Sequence, residues 1–267
     1  MSLSRCASDI DHWCRSRRLQ LNASNTEAIW FGSKSNLTKL GTANISVQVG
    51  SATIQPSAVV RDLGLHLDSE LSMKQHVAKV AAVCFYHLRR LRQIRRRVGA
   101  EATIRLVLAV VISRLDYCNS VLASVPLATL EPLQRVQNAA ARLIFELSPR
   151  EHITPSLLQL HWLPVSWRIQ FKLCSIMHSV HTGRCPAYLT NIVHPVTARQ
   201  SCSGLWSSSM ADYQLPRLKT KFGEREFSQA GPSAWNALPS HIRDVSPSNS
   251  FRKILKTHYF TLAFNVR

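Results

Sequence analysis

Residues 69–98 read SELSMKQHVAKVAAVCFYHLRRLRQIRRRV, and this stretch decides the fold class. Its apolar side chains recur every three or four positions, which predicts one long helix with a single buried face. That face consists of Val77, Val80, Cys84, Leu88, Leu91, Ile94 and Val98. Ser69 is the predicted N-cap and Gly99 the predicted end, because serine accepts from free N–H groups and glycine tolerates the backbone that follows a helix.

Helical patterns continue on the C-terminal side of this stretch. Residues 101–125 are apolar on most sides and predict a second, central helix. A third helix is predicted from about Thr129, with Pro132 tolerated in its first turn. Its apolar side chains are Leu133, Val136, Ala140, Leu143 and Leu147. Three helices joined by short loops indicate a bundle.

Before residue 69 the chain alternates between helical and extended patterns. Residues 1–22 predict a helix with Ser8 as N-cap, because carboxylates at positions 9 and 11 suit the positive end of the helix dipole. The predicted extended segments are residues 27–32, a hairpin of residues 45–49 and 52–55, and a strand over residues 59–68. Leu63, Leu65 and Leu67 are expected on one face of that last strand.

These patterns predict an α+β chain that is mostly helical, in three parts. Residues 1–68 form a small α+β piece with a β-hairpin, and residues 69–147 form the helical bundle. Residues 148–267 are interrupted by prolines and predict an irregular helical region. Its predicted helices cover residues 166–180 and 251–260. Its Ser-rich segment, residues 197–210, is predicted to be a mobile loop.

The chain is strongly basic, with 33 Lys and Arg against 15 Asp and Glu and a net charge of +18. Such an excess attracts polyanions. Nucleic acid is the first partner that it predicts, and an anionic membrane surface is the second. Acidic residues are scarce and no two are adjacent, so no catalytic site built on carboxylates is predicted.

Several features predict an intracellular protein, of the nucleus or the cytoplasm. Residues 1–20 contain no continuous apolar stretch, so no secretory signal is expected. The longest apolar run, residues 106–112, is far shorter than the roughly 20 residues of a spanning helix, so no membrane insertion is expected. The seven cysteines are widely spaced, and we expect all of them to be reduced thiols.

The basic run within residues 69–100 is the strongest functional signal. Its eight cations are opposed by Glu70 alone, so phosphates are the natural counter-charge for the guanidinium groups. The predicted nucleic-acid-binding residues are Lys74, Lys79, Arg89, Arg90, Arg92, Arg95, Arg96 and Arg97. At about 100° per residue, Arg89, Arg92 and Arg96 share one flank of the helix. The alternative is a solvated face with cations favoured near the helix C-terminus, but such faces usually mix signs, which favours nucleic acid.

Three further groups of residues have competing interpretations. The candidate zinc ligands are Cys174, His178, His181 and Cys185. Their irregular spacing favours core cysteines and solvated histidines, and we expect no metal. Asp116 is expected in a buried ion pair with an arginine such as Arg142. Trp162, Trp167 and Trp235 can stack on bases, but their apolar neighbours favour core packing.

Several short motifs follow one another in a characteristic order along the chain. They are residues 13–14 (WC), 19–22 (LQLN), 26–27 (TE), 31–32 (FG), 60–68 (VRDLGLHLD), 113–119 (SRLDYCN), 133–142 (LQRVQNAAAR), 161–165 (HWLPV) and 231–239 (GPSAWNALP). Their order and spacing resemble the palm edge, thumb and post-thumb tail of jockey-like non-LTR (LINE) retrotransposon reverse transcriptases. The resemblance covers nearly the whole chain.

The resemblance implies roles for two of these segments. Residues 60–68 resemble a palm strand that holds the primer end, which makes Leu63 and Gly64 primer-grip-like residues. Glycine lacks a side chain, so a nucleic-acid backbone can approach it closely. From the residues alone, a bulge or simple packing at Gly64 is the favoured alternative.

The reaction centre of the resembled family has no counterpart in this sequence. That centre uses an aromatic-x-Asp-Asp turn and a further aspartate, because two Mg²⁺ ions need clustered carboxylates. This chain has no Asp-Asp pair, and Asn25 stands where the family usually has a lysine before Thr-Glu. The resemblance therefore implies a truncated polymerase. Magnesium is expected only for an intact parent enzyme, and no cofactor is expected for this chain.

Three functions remain open at this point. The favoured one is sequence-independent binding of RNA or an RNA–DNA duplex through the basic thumb helix, without enzymatic activity. The second is a part in RNA-directed DNA synthesis, with the catalytic palm supplied upstream or by another polypeptide. The third is a protein-interaction module whose basic helix docks an acidic partner.

Overall fold

The computed structural model describes residues 3–40, 46–196, 212–217 and 223–266. The prediction of an α+β chain that is mostly helical is confirmed. The chain divides into two compact units, residues 1–76 and 77–267. The predicted three-part division stays a prediction, and the predicted Ser-rich loop lies outside the described residues.

In its described part, the first unit contains two helices and two antiparallel hairpins. Its elements are α1 (Leu3–Ser16), a 3₁₀ turn (Ala23–Asn25), α2 (Lys34–Leu40), β1 (Val47–Val49), β2 (Ala52–Ile54), β3 (Val59–Asp62) and β4 (Leu65–Asp68). Because α1 begins at Leu3, the predicted N-cap Ser8 lies inside the helix. The predicted hairpin of β1 and β2 is confirmed, with Gln48 opposite Thr53, while its predicted first residue, Ile45, lies outside the described part.

The predicted single strand over residues 59–68 is wrong, because the chain reverses at its centre. Leu63 and Gly64 form a two-residue turn between β3 and β4, with φ of 44° and 85°. Positive φ at both central residues is the type I′ geometry, which matches the twist of a hairpin. Leu63 is therefore 81% exposed at the turn and does not share a face with Leu65 and Leu67.

The predicted strand over residues 27–32 is also wrong. Within these residues Ala28 makes an isolated parallel bridge with Pro56, and no strand forms. The N–H of Ser57 closes this bridge by donating to the carbonyl of Ala28 at 2.8 Å. The carboxylate of Glu27 accepts from the backbone N–H of Arg61 at 3.1 Å, and this bond ties the segment to β3.

Helix α3 (Lys74–Val107) begins later than predicted, because Asp68 and not Ser69 organises its start. The Asp68 carboxylate accepts from the N–H groups of Ser72 at 2.8 Å and Met73 at 2.9 Å. These bonds form the turn ahead of the helix, so Ser69 lies outside the helical turns.

The second unit is almost entirely helical in its described part. After the first turns of α3, its elements are a π-helical turn (Leu108–Ile112), α4 (Ser113–Asp116), a 3₁₀ turn (Asn119–Leu122), α5 (Leu127–Phe145), α6 (Thr154–Gln159), α7 (Val165–His181), α8 (Ala187–Thr190), a 3₁₀ turn (Gly223–Arg225), α9 (Phe227–Asn236), α10 (Ser240–Arg243) and α11 (Ser248–Phe264). The predicted third helix corresponds to α5. The helices predicted over residues 166–180 and 251–260 correspond to α7 and α11.

The predicted break at Gly99 is confirmed, because its φ of 78° interrupts the helical backbone of α3. The helix predicted to follow it ends at Asp116 and not at Val125. Tyr117 is extended and Cys118 is left-handed, with φ of 49°, so the helical path stops there.

Helix α7 lies at the centre of the second unit, where it packs against α5, α9 and α11. His178 of α7 stacks on Phe251 of α11 with 4.1 Å between ring centres, and the buried Trp235 of α9 borders both rings. A Cβ atom at Gly231 of α9 would lie 2.9 Å from the sulfur of Met177. Helices α9 and α7 therefore approach this closely because residue 231 has no side chain.

Two of the quoted motifs contact each other through side-chain amides. The buried Gln137 donates to the carbonyl of Leu163 at 2.8 Å. Gln134 accepts from the N–H of Val165 at 2.9 Å, which is one of the free donors at the start of α7. Gln134 also donates to Gln137 at 3.0 Å, so the three bonds form one network that holds α7 on α5.

Six of the seven cysteines lie in the described part of the chain, and these six are free thiols. Burial raises the pKa of Cys84 to about 11 and that of Cys174 to about 12. Both thiols therefore stay protonated at neutral pH, which makes them poor nucleophiles. Cys202 lies outside the described residues.

Candidate nucleic-acid interface

Helix α3 buries most of the apolar face that the sequence predicts. The members that are at most 7% exposed are Val77, Cys84, Leu88 and Leu91. Ile94 and Val98 are each 38% exposed. The apolar face therefore anchors the helix as far as Leu91, and the turns that carry residues 92–97 lie at the surface.

Five of the six arginines within residues 89–97 are exposed. They are Arg89, Arg90, Arg92, Arg96 and Arg97. No acidic side chain of the described residues lies within 4.0 Å of any of the five. By the helical period, Arg90 and Arg97 share a second flank with the exposed Lys79. We call these five arginines the α3 arginine surface.

Arg95 is the exception, because its side chain is only 14% exposed. Its Nη2 donates to the carbonyl of Ile144 at 3.0 Å, and its Nη1 lies 3.8 Å from the carboxylate of Glu146, at the C-terminal end of α5. A cation there meets the negative end of the helix dipole. Arg95 follows Leu88 by seven positions and Leu91 by four, which places it on the apolar face. That spacing is the sequence signal that separates Arg95 from the other five.

A cleft of about 500 Å³ lies beside this contact. Arg92, Arg95 and Arg96 of α3 and Arg142 of α5 line it, with Glu146 as the acidic side chain on its wall. The Nε atoms of Arg95 and Arg142 are buried and have no hydrogen-bond partner among the described residues. Phosphate oxygens are the acceptors that the exposed guanidinium groups of Arg92 and Arg96 fit best, whereas that of Arg95 is already bound to α5.

The structure assigns the other predicted residues to different places. Lys74 is exposed at the start of α3, and Leu63 and Gly64 form the β3–β4 turn, so all three belong to the first unit. The α3 arginine surface and Lys79 belong to the second unit. A primer-grip role for the turn stays a prediction.

Asp116 forms an ion pair as predicted, but the pair is not buried, since the Asp116 side chain is 40% exposed, and its partner is Arg168 and not Arg142. Arg168 donates from Nε to one Asp116 oxygen at 2.7 Å and from Nη2 to the other, so the ion pair is bidentate. Arg142 donates instead to the carbonyl of Glu151 at 3.4 Å. Sequence reasoning therefore missed Arg142 as a residue of the cleft beside α3, and its position near a helix end carries no signal for that role.

Core packing, the favoured interpretation of the tryptophans, is confirmed at two of the three positions. Trp162 is 5% exposed and Trp235 is 0% exposed, so neither can stack on a base. Trp167 is half-buried, with its ring 5.3 Å from that of Tyr259.

Two of the four candidate zinc ligands, Cys174 and His178, have separate partners in the core. The prediction of solvated histidines is wrong at His178, which is 2% exposed, while His181 is exposed. The Cys174 sulfur lies 3.1 Å from the Tyr259 hydroxyl, and Nε2 of His178 lies 2.8 Å from the carbonyl of Val245. In the parts of the chain that the structure describes, no three His, Cys, Asp or Glu side chains are grouped closely enough to hold a metal ion. The residues present there do not fit the two-magnesium centre of the resembled family.

No family model, no curated protein and no solved structure matches this chain. Across the described ranges, no helix has both the length and the apolar character needed to cross a membrane. The functional interpretation therefore rests on the sequence motifs and on the α3 arginine surface.

Proposed function

We propose that this chain derives from the C-terminal part of a non-LTR retrotransposon reverse transcriptase and binds RNA or an RNA–DNA duplex without sequence preference. The observation that carries the proposal is the α3 arginine surface, whose five side chains are exposed and have no acidic partner among the described residues. The order of the quoted motifs supports the origin, and the net charge of +18 supports a polyanionic partner.

The spacing of Arg89, Arg92 and Arg96 suits contact with consecutive phosphates. The three lie on one flank and span about 10 Å along the helix axis, at 1.5 Å per residue. At 3.4 Å per step along the axis of a B-form duplex, a helix parallel to that axis would span about three nucleotide steps, and so four neighbouring phosphates of one strand. Contacts to phosphates carry no base information, so the binding is independent of sequence.

The cleft beside α3 extends this surface towards α5. Arg92 and Arg96 belong to both the surface and the cleft, and Arg142 adds a cation from the facing helix. A phosphate in the cleft would accept from guanidinium groups on two helices. Charge-assisted bonds of this kind are shorter and stronger than those between neutral groups.

For the isolated chain we propose no polymerase activity. Nucleotide addition needs clustered carboxylates that hold two metal ions, and the sequence contains no Asp-Asp pair. Asn25 cannot donate a proton in the way that a lysine can. Primer extension on a primed RNA template, with Mg²⁺ or Mn²⁺, tests this. Incorporation above that of a heat-killed control would contradict it and would favour a role in DNA synthesis.

Binding of the full chain to single-stranded RNA and to an RNA–DNA duplex, from low to physiological salt, tests the proposal. With at least three neutralised phosphates, the log–log slope of affinity against salt is about −2 or steeper on single strands, and about −2.7 or steeper on a duplex if the B-DNA coefficient holds. Several unrelated sequences should bind alike. A slope near zero, or tighter binding to an acidic protein than to RNA at the same salt, would favour the protein-interaction module instead.

A further inference from the structure

A second cationic cleft, of about 690 Å³, lies between α7, α11 and the 3₁₀ turn Asn119–Leu122. Its volume falls in the range of small-molecule sites, about 300–1,000 Å³. Asp116 is the acidic side chain on its wall. The cations on the wall are Arg168, Lys172, Arg184, Arg252 and Lys256. The cleft shares no residue with the α3 arginine surface or with the cleft beside it.

Two helices supply four of these cations in register. Arg168 and Lys172 are four positions apart on α7, and Arg252 and Lys256 are four positions apart on α11. Residues spaced by four share a helix face, so each helix presents a pair of cations to the cleft. The convergence of two such pairs is a property of the packing of α7 against α11 and is not visible in either segment alone.

Two of the five cations have structural partners that shape the wall. Arg168 donates to both carboxylate oxygens of Asp116. Arg184 donates to the hydroxyl of Ser248 at 2.9 Å. Lys172 and Arg252, by contrast, have no acidic partner among the described residues. These two exposed side chains are therefore available to an anion.

The surroundings of Lys256 destabilise its charged form, and a bound anion would offset this effect. Its ammonium lies 5.7 Å from the centre of the Phe260 ring. Burial lowers the pKa of Lys256, and the nearby charge of Arg168 lowers it further. A negative ligand in the cleft would stabilise the charged form of this lysine.

Asn119 provides an independent sign of a ligand. Its side chain is on the wall of the cleft and 3% exposed, and its Oδ1 is buried with no hydrogen-bond partner in the described part of the chain. Buried polar atoms of proteins are nearly always paired, because leaving one unpaired destabilises the folded chain. An amide oxygen can only accept, so the missing partner is an N–H or O–H donor. The half-buried ring of Phe171 adds an apolar wall nearby.

We propose that this cleft binds a nucleotide unit, with its phosphate on Lys172 and Arg252, and that the Asn119 side chain turns toward the bound unit so that Oδ1 accepts from an N–H or O–H of its base or sugar. The free cations require an anion, the amide oxygen requires a donor, and the ring of Phe171 suits a flat apolar group. A nucleotide combines all three groups, whereas inorganic phosphate supplies the anion and its own O–H but no flat apolar group. The unit can be a free mononucleotide or part of a strand, since both present the same groups.

Calorimetric titration of the full chain at low salt tests the proposal. The probes are adenosine monophosphate, uridine monophosphate, methyl phosphate, inorganic phosphate and a short 5′-phosphorylated RNA. We expect at least one mononucleotide to bind more tightly than methyl phosphate and inorganic phosphate. If the RNA binds and the mononucleotides do not, a strand is the source of the unit, provided that the variants below weaken RNA binding. Equal affinity of methyl phosphate and both mononucleotides, or no binding of any probe, would overturn the proposal.

Three variants assign the binding to the cleft. Lys172→Gln with Arg252→Gln should weaken nucleotide binding at least about tenfold, because two charge-assisted contacts are lost. Lys253→Gln, which removes the neighbouring charge on α11 without touching the cleft, should leave it unchanged. Asn119→Ala should abolish the preference for a mononucleotide over methyl phosphate. A preference that survives in a folded Asn119→Ala protein would overturn the proposal.

The comparison with methyl phosphate uses the parent chain, so it decides the outcome even if Asn119→Ala fails to fold. The result is also separate from that of the α3 arginine surface. The combined substitutions Arg89→Gln, Arg92→Gln and Arg96→Gln should leave mononucleotide binding intact. If the cleft binds no nucleotide, the predicted salt dependence of RNA binding by the α3 arginine surface is unaffected.

Discussion

The variant Arg95→Met tests whether Arg95 stabilises the fold, unlike the neighbouring arginines, which we propose bind phosphate. Methionine keeps an apolar stem of similar length and removes the guanidinium group. The carbonyl of Ile144 then loses a charged donor that lies 3.0 Å away, and bonds of this kind contribute about 1.5–3 kcal/mol. The contact with Glu146, at 3.8 Å, adds little because that carboxylate is 59% exposed. The unpartnered Nε of Arg95 offsets part of the loss, so the free energy of unfolding should fall by about 1–2 kcal/mol.

Urea denaturation, followed by the helical circular dichroism signal, measures this loss. The salt slope of RNA binding should match that of the parent, because the guanidinium of Arg95 is bound to α5 and not to phosphate. Arg96→Met, one position along, is the matched control. It should flatten the salt slope by about 0.7–0.9 and leave the unfolding midpoint unchanged. If Arg95→Met keeps the parent's midpoint and flattens the slope as Arg96→Met does, the assignment of Arg95 to the fold is refuted.

Three further changes test the core of the second unit. Gln137→Leu should lower the free energy of unfolding by about 1–3 kcal/mol, because the buried carbonyl of Leu163 loses its donor; an unchanged urea midpoint would contradict this. Gly231→Ala should lower it by about 1–3 kcal/mol, since the new Cβ would lie 2.9 Å from Met177, and a thermal midpoint equal to the parent's would show that the helices can separate freely. Burial lowers the pKa of His178, so the native state holds it neutral; the resulting stability is present above the unfolded-state pKa of about 6.5 and is lost as pH falls below it. Thermal midpoints measured across that range should fall less steeply in His178→Gln, and an equal fall in both proteins would assign the acid sensitivity elsewhere.

The helices were the part of the fold that periodicity could predict. Helices α3, α5 and α7 each have one apolar face, so the three- or four-residue repeat revealed them. Their ends were harder, because they depend on contacts that periodicity does not contain. Asp68 and not Ser69 organises the start of α3, through hydrogen bonds to Ser72 and Met73. The helical path ends after Asp116, whose carboxylate is bound by Arg168 from a segment 52 residues away.

The β3–β4 hairpin shows how a regular pattern can mislead. Leu63, Leu65 and Leu67 alternate as in one continuous strand, yet Leu63 lies in the turn. Gly64 was the local signal for a reversal, since two-residue hairpin turns need positive φ. The alternation of leucines did not reveal the reversal, because each strand of a hairpin has the same two-residue period as one continuous strand.

The candidate sites divide in the same way. The exposure of five arginines could be predicted from their distance from the apolar face. The inward position of Arg95 could be predicted too, because Arg95 follows Leu91 by four positions. Arg142 beside α3 and the unpaired oxygen of Asn119 could not be inferred from the sequence. Each owes its environment to helices that are distant in the chain, so only tertiary packing reveals them.

The salt dependence of RNA–DNA duplex binding by the variant Arg89→Gln, Arg92→Gln and Arg96→Gln tests the central claim most directly. Glutamine is close to arginine in helix propensity, so circular dichroism should match the parent's. A control of equal charge carries Arg105→Gln, Arg135→Gln and Lys253→Gln, which are exposed positions outside the α3 arginine surface. If the claim is right, the slope of the α3 variant flattens by about 2 to 3 units while the control keeps the parent's slope. A folded variant of the α3 arginine surface with the parent's slope, or an equal flattening in the control, would contradict the claim that the α3 arginine surface binds the nucleic acid.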